Sequence, residues 1–471
     1  MKFGSTKRTP EARRGESGSG RLWLILGVAC VGVFLFALLR GGASRRGSEG
    51  AVDGGVSSSA GDGSRLAARF RDRPRARLVS EVSAGGAGGG NPAAVVAEKV
   101  VQFSRSRRQV LETMAQRLNV AIPPDVDRFF SAVESGDWRD IKTLYNTVSA
   151  LVSSDDSPPG LASLWPAIRE TYAVAEAKEV WPADQLLSFG QTVLSSVDPG
   201  AVFVGTSQWG RSIPALLNET SGDARGVVLD HLMLSEPGYT DYLATMYGDR
   251  LKALTQEDAQ KAKDAYFAEL AERAKNNQLR PGETLPSGNM RSFVPGSIAA
   301  TEVAEKMLMA FLEKNPGVAI MMEKPTQGSS LYSLATPVGP VFEIRAQGAE
   351  GGAGPAAQQT AQYWKDATDR LQSIPITDEN VVTRRSFAEM ATAQANLLAS
   401  RSQPVEAEQT FRSAIEIAPM SVEPVNAMIA FLQNSGRGPE AMQVVEEFAR
   451  RNPDLATQAD LMRARLAGPK N

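Results

Sequence analysis

Residues 198–234 read DPGAVFVGTSQWGRSIPALLNETSGDARGVVLDHLML, and this stretch decides the fold. Asp198-Pro199-Gly200 is a turn signal, because proline presets φ and glycine tolerates positive φ. Residues 201–204 are a short apolar run bounded by turn signals, which predicts a strand covered on both faces. Gly205 and Gly210 frame a loop that leads into a helix at 213–217, and residues 227–234 form a second apolar run of strand length. The result is a βαβ-like unit, a unit whose loops lie at the carboxyl ends of strands, where open α/β sheets bind ligands.

The loop can be read more sharply. Residues 205–212, GTSQWGRS, have the spacing GxxxxG-R-S, one residue away from the phosphate-binding pattern GxxxxGK[ST]. Residues 227–230, VVLD, look like a strand ending in an aspartate that could hold magnesium or act as a base. The candidate ligand-binding residues are therefore Gly205, Thr206, Ser207, Gly210, Arg211, Ser212 and Asp230. Three features count against phosphate. A planar arginine stands where a compact lysine should be, Pro214 is tolerable only in the first turn of a helix, and Trp209 puts a large ring in a loop meant to wrap closely. The competing reading is a strand-to-helix turn whose glycines serve backbone geometry.

The chain has 471 residues, which suggests about three domains. Residues 1–78 carry net +9 and residues 79–471 net −11. An acidic folded part argues against nucleic acid as the main partner, because phosphate contacts need a positive surface. The single cysteine, Cys30, rules out an intramolecular disulfide and a cysteine-rich zinc site. The single histidine, His231, follows Asp230 on the expected strand, so the two side chains point to opposite faces and make a poor catalytic pair. No cofactor or metal motif and no catalytic set is recognised.

N-terminal to this, residues 1–21 form a polar tail, and residues 22–39, LWLILGVACVGVFLFALL, are uncharged and mostly apolar. As a helix they span about 27 Å at about 1.5 Å per residue, close to the hydrocarbon core of about 30 Å. Six Lys/Arg precede the run and three follow within twenty residues, so the positive-inside rule keeps the N-terminus cytoplasmic. The expectation is an uncleaved anchor in a bacterial inner membrane with the bulk of the chain outside the cytoplasm; a cleaved signal peptide is the alternative. Residues 40–93 are rich in Gly, Ser, Ala and Arg and read as a flexible linker. Its ARFRDRPRARL at 68–78 is either a solvated stretch or a contact for anionic lipid or polymer.

Residues 94–197 read as helical, with helices expected at 97–118, 126–134, 137–152, 161–179 and 183–197. Asp137 is an expected N-cap, and Trp138, Trp165 and Trp181 are expected in the core. Beyond the central unit, helices are expected at 239–251, 256–276 and 298–314 and strands at 318–323 and 338–346, with a short helix at 330–334. The α/β domain spans 198–347 and is expected to be Rossmann-like with about four strands. A linker at 348–358 leads to residues 359–471, where Glu406-Ala407 and Pro419 recur 34 residues later as Glu440-Ala441 and Pro453. Period, paired alanines and closing prolines point to tetratricopeptide-like repeats, whose stacked helix pairs form a concave surface.

Several stretches together resemble an uncharacterised family of bacterial membrane-anchored proteins with tetratricopeptide repeats: 128–146, 164–177, VGTSQWGRSIPALL at 204–217, 236–251 and 311–346. The strand, loop and helix at 201–217 look more distantly like the soluble domain of membrane proteins related to protein O-mannosyltransferases. That family's loop carries an aspartate and its second strand is followed by Gln-Asn; here Ser207-Gln208 and His231-Leu232 stand in those places. The resemblance implies architecture and location and brings no activity. The expected function is a membrane-anchored, extracytoplasmic interaction or scaffold protein that meets a protein partner through its C-terminal repeats. The alternative is a phosphate- or sugar-phosphate-binding envelope enzyme using the 205–212 loop.

Overall fold

The computed structural model describes residues 91–467, apart from Asp155, 223–225, Pro237, Asp249, 281–282, 284–297, 327–328 and 346–352. The expected anchor at 22–39, Cys30 and the basic stretch at 68–78 lie outside the described residues. Among the described residues no helix is long and apolar enough to cross a membrane. The chain divides into two compact units. Of the described residues, the smaller holds 268–280 and Glu283, and within it Arg273 pairs with Glu283 at 2.6 Å. The larger holds the other described residues, among them the sheet and the sites considered below.

Five helices precede the sheet: α1 Pro92–Leu118, α2 Pro124–Ser135, α3 Trp138–Ser153, α4 Leu161–Val180 and α5 Ala183–Ser195. Their boundaries follow local chemistry. Asn91 accepts from Ala93 N and Pro92 sits where its missing N–H costs nothing, while Asp137 caps α3 by accepting from Arg139 N and Asp140 N. Trp138 and Tyr145 lie seven residues apart on α3, as Trp165 and Tyr172 do on α4, and the four rings interleave in the order Trp138, Tyr172, Tyr145, Trp165. The rings cover the seam between the two helices, each pair adding about 0.5–1.5 kcal/mol beyond burial.

The central unit contains β1 Val202–Gly205, α6 Gln208–Glu219 and β2 Val227–Asp230, followed by α7 Tyr239–Tyr247, α8 Gln256–Lys275 and α9 Ile298–Lys314. Next come β3 Ile320–Met322, α10 Ser330–Leu334, β4 Ala335–Val338 and β5 Val341–Ile344. The sheet has five strands in the order β2-β1-β3-β5-β4, parallel across β2, β1 and β3 and antiparallel across β3, β5 and β4. It is therefore a mixed sheet, and the expected count of about four is corrected to five. The stretch expected as one strand at 338–346 is the second arm of a hairpin, turned by Gly339 at φ +57°. Pro337 is accommodated because β4 is an edge strand, where a missing ladder donor is tolerated. The strand expected at 227–234 stops at Asp230. Its carboxylate accepts from Leu232 N at 3.0 Å, and this local bond bends the chain into a 3-10 turn at Leu232–Ser235.

The C-terminal helices are α11 Ala353–Gln372, α12 Val381–Ser400, α13 Pro404–Ile417, α14 Val422–Asn434, α15 Gly438–Arg451 and α16 Ala456–Ala467. Consecutive helices pack as α12 on α13 and α14 on α15, and α11 packs on α13. The recurring alanines Ala407 and Ala441 are both fully buried, in a core with Phe411, Val425, Met428 and Val445. Small side chains at these two buried positions let the helices pack closely. These helices dock directly on the sheet. The Gln394 side-chain amide donates to Gly339 O and Val341 O, each at 3.0 Å, and accepts from Trp364 Nε1 at 2.7 Å. Part of the segment expected as a linker at 348–358 is the start of α11.

Candidate functional site

The sheet register brings the end of β3 beside the loop after β1. Val204 lies opposite Met322, and Glu323 N donates to Val204 O at 3.0 Å. The Glu323 side chain, 3% exposed, turns into the loop. Thr206 and Ser207 donate their backbone N–H groups to Glu323 Oε2 at 2.8 and 2.7 Å. Thr206 Oγ1 donates to the same oxygen at 3.1 Å and Ser207 Oγ to Oε1 at 2.5 Å. Ser207 also caps α6 by accepting from Gly210 N at 3.0 Å. The helix N-terminus that would welcome an anion thus holds a carboxylate of the same chain.

The glycine spacing serves this arrangement. A Cβ on Gly210 would collide with the Glu323 carboxylate, and one on Gly205 would fall 2.5 Å from Arg211 Cα. Ser212 Oγ donates to Gln208 O at 2.8 Å. Arg211, 5% exposed, forms an ion pair with Asp230, itself 4% exposed. Burial by itself lowers the pKa of Arg211, but Asp230 beside it, helped by Glu170, outweighs this and holds it raised. Of the seven residues expected to bind a ligand, Thr206, Ser207 and Gly210 gather around Glu323, and Gly205 lies against the Arg211 backbone. Arg211 and Asp230 pair with each other, and Ser212 faces back along its own helix. Pro214 lies well inside α6.

His231 is 2% exposed, and its Nε2 has no hydrogen-bond partner among the described residues. Burial pushes its pKa down to about 4, so the imidazole is neutral at pH 7. Its backbone N–H donates to Gly205 O at 3.1 Å, extending the β1–β2 pairing by one residue.

Beneath this end of the sheet lies a buried network that the sequence reading did not single out. Arg107 of α1, 1% exposed, binds Glu170 of α4 at 2.9 Å and Glu219 of α6 at 2.6 Å. Tyr242 and Tyr247 of α7 donate to the same two carboxylates at 2.6 and 2.9 Å, and the guanidinium lies 4.1 Å from the Phe103 ring centroid. Four helices are pinned by one cation.

A second set of polar groups gathers where the sheet meets the C-terminal helices. Lys324, next to Glu323, donates to Glu389 Oε2 of α12 at 2.9 Å, and Arg385 donates to Glu389 Oε1 at 3.1 Å. Beside them is a cavity of about 90 Å³ lined by Lys324, Pro325, Tyr332, Glu389, Asn396 and Glu423 among others. The side-chain amide of Asn396 and the carboxylate of Glu423 form no hydrogen bond or ion pair with any described residue. Among the described residues no group of three or more His, Cys, Asp or Glu side chains could hold a metal ion.

No protein-family model, curated protein or solved structure matches the chain.

Proposed function

We propose that this chain is a membrane-anchored, extracytoplasmic scaffold or interaction protein of the resembled kind, which binds a protein partner through its C-terminal helices. The observation that carries this reading is the cavity beside α12 and α14, where the Asn396 amide and Glu423 carboxylate are left without partners. The Asn396 amide is half-buried and Glu423 is exposed, so both keep bonding capacity for an incoming partner. The exposed apolar side chains of Val405, at the start of α13, and Met420, in the connection from α13 to α14, are 63% and 54% exposed and add contact area among the C-terminal helices. The anchor at residues 22–39 supplies the location.

The phosphate or sugar-phosphate reading of the 205–212 loop requires Glu323 to leave, and Arg211 and Asp230 to part, before a ligand could enter. The buried geometry of all three supports a structural role. The test of the scaffold reading is a photo-crosslinking residue placed in the full chain in intact cells, at Val405, at Met420 and, as a control, at exposed Lys142 of α3. Adducts of one common mass from Val405 and Met420 and none from Lys142 are the expected result. Adducts from none of the three, or from all alike, would overturn the reading.

A further inference from the structure

The ring stack on α3 and α4 contains one contact that ordinary packing does not ask for. Aromatic pairs settle with their centroids about 4.5–7 Å apart, and Trp138 with Tyr172 and Tyr145 with Trp165 do so, at 5.7 and 5.3 Å. Tyr145 and Tyr172 lie at 3.7 Å, with 12° between their planes. At that separation and angle the two rings are face to face, with their carbons in van der Waals contact. All four rings are half-buried, so the stack borders solvent. Tyr239 and Tyr242, also stacked, differ on both counts: their centroids are 5.8 Å apart and both side chains are buried.

A pair held this way is placed for the oxidative coupling of phenols. Loss of one electron and the phenolic proton from each tyrosine leaves two phenoxyl radicals, whose unpaired spin is shared with the ring carbons ortho to oxygen. Two such carbons form a C–C bond, and the hydrogen on each moves to its own oxygen, restoring both phenols as a dityrosine. In sum, two electrons and two protons leave. The oxidant is a one-electron acceptor of the ferryl-haem or peroxide-derived radical class. Burial pushes the pKa of both phenols up, so each must give up its proton as the electron goes. Tyr172 already donates to Glu176 Oε1 at 3.4 Å, and that carboxylate takes its proton. Tyr145, half-buried, gives its own to water. Because the second ring is in place before the first radical forms, coupling within the chain outpaces coupling between chains.

We propose that Tyr145 and Tyr172 are a site of oxidative modification, at which a dityrosine bond clips α3 to α4. Such a bond restricts the unfolded chain between the two residues, so the linked protein is the more stable form. The site lies on α3 and α4 and is independent of what the C-terminal helices meet.

The test is photo-oxidation of the full chain, in dilute solution, with tris(bipyridyl)ruthenium and persulfate, followed by proteolysis and mass spectrometry. The expected product is the Tyr145 peptide joined to the Tyr172 peptide, lighter than their sum by two hydrogen atoms, with dityrosine fluorescence in the monomer. Tyr145→Phe and Tyr172→Phe keep the rings stacked and should each abolish the linked peptide without shifting the thermal midpoint. The linked protein should unfold at a higher urea concentration than the unlinked one, and Tyr239 and Tyr242 should stay unjoined. Oxidation confined to Trp138 and Trp165, linkage found only between chains, or joining of Tyr239 to Tyr242 in equal yield would each overturn the proposal. So would monomer dityrosine fluorescence that survives both variants, or a urea midpoint that the link leaves unchanged or lowers.

Discussion

The 205–212 loop and the cavity beside α12 stand on either side of two consecutive residues, Glu323 and Lys324, and they treat their polar groups in opposite ways. In the loop, the amide and hydroxyl donors of Thr206 and Ser207 and the charges of Arg211 and Asp230 all have partners inside the chain. In the cavity, Lys324 and Glu389 are paired, while Asn396 and Glu423 are left open. The loop has the look of a motif and the bonding of a core. The cavity has no motif and the bonding of a surface that expects company. What separates a site from its likeness is whether its donors and acceptors are already engaged, because an engaged group must break a bond before it can make one.

The comparison predicts that substitutions around the loop cost stability, while substitutions in the cavity cost binding alone. The largest effect is expected for Arg211→Ala, which strands Asp230 in the interior and should destabilise the protein by about 3–5 kcal/mol. Urea unfolding measures it, and a cost below about 1 kcal/mol would move the loop to the other side of the comparison. Next is Glu323→Gln, which keeps the shape but gives up charge-assisted bonds to two amides and two hydroxyls, for a loss of about 1.5–3 kcal/mol. Inorganic phosphate should leave the thermal midpoint of the unaltered protein unchanged; a rise would mean that the loop opens to anions.

His231 gives a pH signature on the loop side. Its folded pKa of about 4 lies below the ordinary 6.5, so the unfolded chain binds the extra proton in that window. Stability from this residue is fully present above pH 6.5 and is lost as the pH falls toward 4. Between pH 7 and pH 4.5 the loss should be about 2 kcal/mol, read as the difference in urea midpoint shift between the unaltered protein and His231→Gln. Equal shifts in the two proteins would contradict a buried neutral imidazole. The smallest effect is expected for Asn396→Ala, within about 0.5 kcal/mol, because no bond inside the chain is lost; a larger loss would show that the amide is structural.

Much of the fold was legible because it rests on local chemistry. Asp137 and the breakers at Gly136 and Ser157-Pro158-Pro159-Gly160 fixed helix ends, and the 34-residue spacing of Ala407 and Ala441 marked the helix pairs. Non-local pairing was not legible. Glu323 looked like the end of an apolar run, and only the placement of β3 beside β1 carries it to Thr206 and Ser207. The hairpin of β4 and β5 was missed because a proline-containing edge strand has almost no apolar pattern. Arg107 did leave a signal that went unread. It sits four residues after Phe103 and four before Leu111, on the apolar stripe of α1, where an arginine must be buried and paired. That Asn396 and Glu423 lack partners is a property of their neighbours' positions and leaves no mark in sequence.

The Gln394 side chain has a thermal consequence. It joins the hairpin carbonyls of Gly339 and Val341 to Trp364 in a dry interior, so the C-terminal helices cannot melt away from the sheet without leaving all three groups unmatched. The sheet and those helices should accordingly melt together, giving one calorimetric peak from segments that read in sequence as separate modules.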